Sequence, residues 1–242
     1  MGESGGNLWR QIRLNICIFS KNIDMTMTEN SLVYVGDPMC SWCYGFGVPL
    51  HQLLEKLPGV PLAIVLGGLR AYNKEVMPDT LKSTLHHHWE EVAKRSGKPF
   101  GRGQFIREGY IYDTEPACRA VVTIRTFAAE HTLEMYHNIQ HAFYAMGRDI
   151  TQASVLADVW QGLVDSKTIG DVGFTREAFL AAFESDSIKT QTRNDFVMAQ
   201  QWGIRGFPAL IAVVNGEAQM VANGYMEADE MLQRVQQVFG TV

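Results

Sequence analysis

Two cysteines separated by two residues, Cys40 and Cys43, stand where a strand-like run gives way to a helical pattern. Before them, Leu32-Val33-Tyr34-Val35 is a short apolar run of β type. After them, Val48, Leu50, Leu53, Leu54 and Leu57 recur at helical spacing. A Cys-x-x-Cys pair at such a junction is a redox or a metal signature. For redox chemistry the position supplies a mechanism. The unsatisfied N–H groups and dipole of a helix start favour a thiolate on the first cysteine. The second lies one turn further on, where it can attack a mixed disulfide formed at the first.

The rest of the chain builds a frame around that pair. Val60 to Leu66 is a continuous apolar run of strand length, consistent with a buried parallel strand. With the strand at 31–35 and a helix over about 44–57, it completes a βαβ unit. Gly67-Gly68-Leu69-Arg70 closes the unit, and its paired glycines suit a tight turn or a close backbone approach. From Lys74 to Asp186 helical spacing takes over, in stretches at 79–94, 116–129, 133–146, 153–163 and 176–184. Asp113-Thr114-Glu115-Pro116 and Thr175-Arg176-Glu177 have the composition of helix starts. A helix at 187–202 leads to Gly203-Ile204-Arg205-Gly206-Phe207-Pro208 and a strand at 209–214. Asn215-Gly216 is a two-residue hairpin signal, followed by a partner strand at 218–222 and an amphipathic helix at 228–239. The order is β-α-β, helical block, α-β-β-α.

Composition narrows the chemistry. The 242 residues are 46% hydrophobic, enough to bury one large core or two joined ones. A net charge of -5 without a Lys/Arg block leaves no footprint for nucleic acid. No apolar run reaches the ~20 residues that span a bilayer. Arg10 and Arg13 ahead of Leu14 to Phe19 have a trace of a signal peptide. Asn15 interrupts the apolar core, Lys21 and Asp24 follow it, and no cleavage site appears. Residues 1–26 therefore read as a disordered extension, and the location as cytoplasmic.

Four cysteines (Cys17, Cys40, Cys43, Cys118) are too few and too scattered for a secreted disulfide scaffold. In a reducing compartment the pair is catalytic or metal-binding rather than a permanent bridge. A structural zinc needs four ligands. Neither Cys17 nor Cys118 belongs to a second pair, and His51 is badly placed to join Cys43 on one helix face. The redox reading is preferred, with no metal. His86-His87-His88 point in different directions on a helix and read as a solvated face.

Element order and motifs together resemble the DsbA-like thioredoxin family, its cytoplasmic FrnE-like and 2-hydroxychromene-2-carboxylate isomerase-like branches more than its periplasmic oxidants. Asp37-Pro38-Met39-Cys40-Ser41-Trp42-Cys43-Tyr44-Gly45-Phe46 and Gly203-Ile204-Arg205-Gly206-Phe207-Pro208 carry the resemblance. It implies an α/β chain with a thioredoxin fold over 31–72 and 187–242 and an all-helical insertion over 73–186. It further implies that Cys40 is the nucleophile, Cys43 the resolving thiol, and Pro208 a cis-proline facing the pair. Phe207 would then offer its N–H and C=O to a thiol-bearing substrate in the manner of an added strand. The implied partners are a thiol- or disulfide-bearing protein, or glutathione or another thiol as co-substrate, with no bound cofactor. A homodimer is compatible with the family.

The redox poise is open at this level. Ser41 and Trp42 carry no charge where strong oxidants of the family carry a His, and Tyr34 stands where reducing thioredoxins place a buried acid. Asp37 is placed to raise a thiol pKa or relay protons, and equally fits a turn or cap. The helix start leads to the expectation of a depressed Cys40 pKa, within ~3.5–7.5. Trp42 is either a substrate-contacting aromatic or a lid over the helical block, while Tyr44 and Phe46 suit packing. Arg70 suits an anionic group such as a glutathione carboxylate, or else a salt bridge to the helical block. Cys118 is a buried thiol or a third, regulatory cysteine. The functional expectation is a thiol–disulfide oxidoreductase of protein-disulfide isomerase type. Two other classes are in play: a glutathione-dependent isomerase or transferase, whose family members carry Ser where this chain has Cys40, and a non-enzymatic holdase.

Overall fold

The computed structural model describes residues 30–101, 107–167, 169–170 and 172–240; the expected extension at 1–26 and Cys17 lie outside the described residues. Strand β1 (Ser31–Gly36) runs into helix α1 (Ser41–Glu55) and returns as β2 (Leu62–Leu66). Helices α2 (Asp79–Ser96), α3 (Glu115–Phe127), α4 (Thr132–Tyr144), α5 (Ala153–Asp165) and α6 (Arg176–Phe183) follow, with a 3-10 turn at Ala129–His131. Then come α7 (Asp186–Gln201), β3 (Ala209–Val214), β4 (Glu217–Asn223) and α8 (Ala228–Phe239). This is an α/β thioredoxin fold with a block of helices between its βαβ and ββα halves.

Two compact units divide the chain. Of the described residues, one takes in those from Asn30 to Gly36, Phe46–Gly67 and those from Asp195 to Gly240; the other takes in Asp37–Gly45 and the described residues between Gly68 and Asn194. Helices α1 and α7 therefore each contribute one end to each unit.

The first unit is built on a sheet of order β2-β1-β3-β4. β1 pairs parallel with β2 and antiparallel with β3, and Tyr34 stands opposite both Ile64 and Leu210. A central strand covered on both faces has no solvent side, so successive residues are apolar and all six of β1 are buried. On one face Val33, Val35, Ala63, Val65 and Ile211 pack with Met198, Ala199 and Trp202 of α7. On the opposite parity Tyr34 stacks on Phe46 of α1, centroids 5.8 Å apart. Each large apolar side chain buried this way contributes about 1.5–3 kcal/mol. β3 turns into β4 through Asn215 and Gly216, both at positive φ (51° and 77°), as a tight two-residue hairpin requires. α8 packs on β3 and β4, burying Ala228, Met231 and Val235.

In the second unit α3 packs against α4, α5 and α6. Cys118, Val121, Tyr136, Phe143, Trp160 and Phe179 are buried there. Arg119 reaches into this unit with its charge answered: it pairs with Glu115 at 3.0 Å and lies 3.8 Å above the Phe183 ring.

Two boundaries differ from the sequence expectation. α1 starts at Ser41, earlier than its hydrophobic spacing suggests, because Ser41-Trp42-Cys43 show no apolar period of their own. β2 starts at Leu62, since Pro61 cannot donate to a ladder; its carbonyl accepts from Leu32 N–H at 2.8 Å. The helix start at Thr175 forms as expected, its hydroxyl accepting from Ala178 N–H. At the other expected start Asp113 does the capping: its carboxylate takes the Glu115 and Tyr72 N–H groups, while Thr114 accepts from Arg70 N–H.

Candidate redox site

The chain leaves β1 through a turn in which the Cys40 N–H donates to the Asp37 carbonyl at 3.0 Å. Pro38 takes the second turn position, where its fixed φ is already correct. The Asp37 carboxylate is wholly buried and holds the turn from inside. One oxygen accepts from Met39 N–H at 2.8 Å; the other accepts from Leu69 N–H at 2.7 Å and from the Cys118 thiol at 3.5 Å. The Tyr112 hydroxyl donates to the Met39 carbonyl. Both polar groups of Met39's backbone are thus fixed by side chains.

Cys40 is the N-cap of α1: its carbonyl accepts the first helical bond, from Tyr44 N–H at 3.1 Å. Cys43 sits within the first turn. The two are buried (7% and 1% exposed), are thiols rather than a disulfide, and are hydrogen-bonded to each other. The glycine at 45 lets α1 lie close to α2, for a Cβ there would come within 2.6 Å of Val92 Cγ1.

The electrostatics correct the expected depression of Cys40. The adjoining Cys43 thiol and burial push the Cys40 thiol well above its ordinary range, and the Asp37 charge adds to this. The Cys43 N–H pulls the other way, as a helix start should, but is outweighed. Burial also raises the Asp37 carboxyl against its N–H donors. Burial and then Asp37 push Cys118 well above the thiol range.

The other sequence candidates fall as follows. Trp42 is half-buried on the first turn of α1. Arg70 is exposed, with its guanidinium 6.0 Å above the Tyr112 ring; among the described residues it makes no salt bridge. Tyr44 and Phe46 are packed, as expected. His86 and His87 face Glu90 and Glu91 one turn along α2. Among the described residues no group of three or more His, Cys, Asp or Glu could hold a metal.

Phe207 and Pro208 belong to the sheet unit. Their peptide bond is cis, the isomer implied by the resemblance, and the Pro208 carbonyl accepts from Gly224 N–H at 2.8 Å. The half-buried Phe207 ring lies against Gly67: a Cβ there would stand 2.0 Å from Phe207 Cζ. Gly68 has a φ of 63°. Of the paired glycines, one serves close approach and the other a left-handed backbone. Tyr112, Tyr144 and the bond between Asp37 and Cys118 went unread in the sequence, since residues far apart in the chain form them without a local period.

A βαβ–ββα sheet with a Cys-x-x-Cys pair at the start of its first helix and a cis-proline before β3 defines a thioredoxin-fold protein. The chain belongs to the DsbA-like thioredoxin family, whose DSBA-like thioredoxin domain matches residues 32–236. A candidate protein disulfide isomerase from Nitrosomonas europaea is 30% identical, with a TM-score of 0.77 over 86% of this chain and 97% of that one. The cytosolic disulfide reductase DsbM from Pseudomonas aeruginosa is similar at 24% identity and a TM-score of 0.70, over 88% of this chain and 100% of that one. A second structure of DsbM, with GSH, aligns at 23% and 0.66, over 86% and 98%. No curated protein matches the sequence. Among the described residues no helix is long and apolar enough to cross a membrane.

Proposed function

We propose that the protein is a thiol–disulfide oxidoreductase that reduces disulfides, with Cys40 as nucleophile and Cys43 as resolving thiol. The observation that carries this reading is the hydrogen-bonded thiol pair spanning the N-cap and first turn of α1. The Cys40 thiolate attacks one sulfur of a substrate disulfide. A Cys40–substrate S–S bond forms as the substrate S–S bond breaks, and the departing thiolate takes a proton from water. Cys43 loses its proton to solvent and attacks the Cys40 sulfur, expelling the second substrate thiolate, which is protonated in turn. The substrate has gained two electrons and two protons, and the enzyme holds a Cys40–Cys43 disulfide. Two molecules of glutathione or another thiol restore the dithiol by the same exchange and leave as their disulfide.

What surrounds Cys40 supports the reducing direction. Strong oxidants are proteins whose reduced form is stabilised as a thiolate. Here the neighbouring Cys43 thiol, burial and the Asp37 charge disfavour the thiolate. The description of DsbM as a cytosolic disulfide reductase, with a structure containing GSH, supports the same direction, glutathione as thiol donor and a cytoplasmic setting. The candidate isomerase from Nitrosomonas europaea supports protein disulfides as substrates. Phe207 and Pro208 are proposed to bind an extended substrate segment through the Phe207 backbone, Trp42 to contact substrate, and exposed Arg70 to meet a carboxylate. A glutathione-dependent isomerase or transferase does not need the second thiol, so the paired cysteines favour exchange.

Insulin reduction driven by glutathione tests the reading. Cys40→Ser is expected to fall to background, and Cys43→Ser to accumulate a mixed disulfide at Cys40 visible by mass spectrometry. Undiminished reduction by Cys40→Ser would overturn it.

A further inference from the structure

Beyond β2 the segment from Leu69 to Val76 runs beside residues 111–114 as an irregular ribbon. Arg70 N–H donates to the Thr114 hydroxyl at 3.1 Å, Tyr72 N–H donates to the Asp113 carboxylate at 2.8 Å, and Val76 and Ile111 form an antiparallel bridge. The ribbon lies within the second unit, with the cysteine turn, and two contacts tie it there. Leu69 N–H donates to the Asp37 carboxylate at 2.7 Å. The Arg70 guanidinium stands over the ring of Tyr112, whose hydroxyl donates to the Met39 carbonyl. Of the seven exposed large apolar side chains among the described residues, four stand on this ribbon: Leu69, Tyr72, Val76 and Ile111.

The patch does little for the fold. Tyr72 has a φ of 66°, a backbone that bulky residues rarely adopt and glycine adopts freely, and its side chain is still left exposed. From α7 the Arg193 guanidinium lies 5.9 Å from the centre of the Tyr72 ring. Arg193 and Arg70 are both exposed, and neither has a carboxylate partner among the described residues. Of the ribbon's acids, Asp113 is occupied by the Tyr72 and Glu115 N–H groups, and Glu75 stands at the far end next to Lys74. In a chain of net charge -5, two such guanidinium groups beside four apolar side chains are complementary to a segment both apolar and acidic. We propose that this ribbon docks the polypeptide substrate of the exchange. Apolar residues flanking the substrate disulfide cover Leu69, Tyr72, Val76 and Ile111, and acidic side chains of the substrate pair with Arg70 and Arg193. Glutathione has carboxylates but little apolar surface, and would leave the four side chains uncovered. This rests on the reading of Cys40 as nucleophile toward protein disulfides.

The test follows reduction of two synthetic disulfide peptides by the reduced full chain. The peptides share their apolar residues and differ in carrying Glu or Lys; hydroxyethyl disulfide is the small, uncharged reference, and products are read by mass spectrometry. The wild type should reduce the Glu peptide about fivefold faster than the Lys peptide, the order of exposed ion pairs, and salt should narrow the gap. Arg193→Glu is expected to abolish or reverse that preference. Tyr72→Gly should slow both peptides about tenfold relative to the reference, while the melting temperature holds because glycine suits the left-handed backbone. Either a wild-type charge preference in Arg193→Glu or an unchanged peptide-to-reference ratio in Tyr72→Gly would overturn the proposal. So would a raised KM for glutathione with both ratios unchanged, which would assign the patch to glutathione. All three outcomes leave the exchange reading standing. Continued peptide reduction by Cys40→Ser would instead sink that reading, whichever way the ratios fall.

Discussion

Asp37 is a buried carboxylate that fixes three donors around the cysteine turn: Met39 N–H, Leu69 N–H and the Cys118 thiol. Replacing it with alanine strands two backbone N–H groups, and Asp37→Ala should lose about 2–4 kcal/mol in chemical denaturation. Its pKa gives a second check. Burial raises the carboxyl in the folded chain, so the native state holds a proton more readily than the unfolded one. The stability from this group is therefore present below about pH 4 and is lost as pH rises through the raised folded value. The stability of Asp37→Asn relative to wild type should improve from pH 4 to pH 7, read as paired melting curves. A difference independent of pH would contradict the assigned shift. At this scale the sequence disclosed the pair and its turn through spacing and residue type alone. It misjudged Cys40, because helix position is local whereas the burial, the Cys43 contact and the Asp37 charge that outweigh it come from packing. Tyr112 lies in a stretch without regular structure, and no spacing could connect it to Met39.

Among the elements, the periodic segments were the readable ones. The strands and helices of the described residues follow period-2, period-3.6 or continuous apolar patterns, and the Asn215-Gly216 hairpin follows from the backbone its residues favour. Starts and stops were less legible, since they depend on individual hydrogen bonds such as that from Tyr44 N–H to the Cys40 carbonyl. Gly67, at the end of β2, ties an element boundary to function. It donates its N–H to the Gly36 carbonyl at 2.8 Å and leaves room for the Phe207 ring. Gly67→Ala puts a methyl where that ring lies. It should cost about 1–3 kcal/mol in overpacking and, if Phe207 docks substrate, raise the KM for insulin more than it lowers kcat. An unchanged KM would argue against the docking role.

Over the whole molecule, the family match from 32 to 236 takes in the sheet, the cysteine pair, the helices between the halves and the cis-proline. The cysteine turn belongs by its packing with the helical segments rather than with the strand that delivers it. Asp37, Tyr112 and Cys118, which no sequence motif groups, consequently share its surroundings. The absence of charge between the cysteines, the buried acid beside them and the raised Cys40 thiol are the grounds on which the pair is proposed to act as a reductant. The reduction potential of the Cys40–Cys43 couple tests that account most directly. Equilibrated with glutathione redox buffers and read by mass spectrometry, it should lie between about −200 and −270 mV, the glutaredoxin-to-thioredoxin span. A value near −120 mV, or no Cys40–Cys43 disulfide at any ratio of reduced to oxidised glutathione, would contradict it.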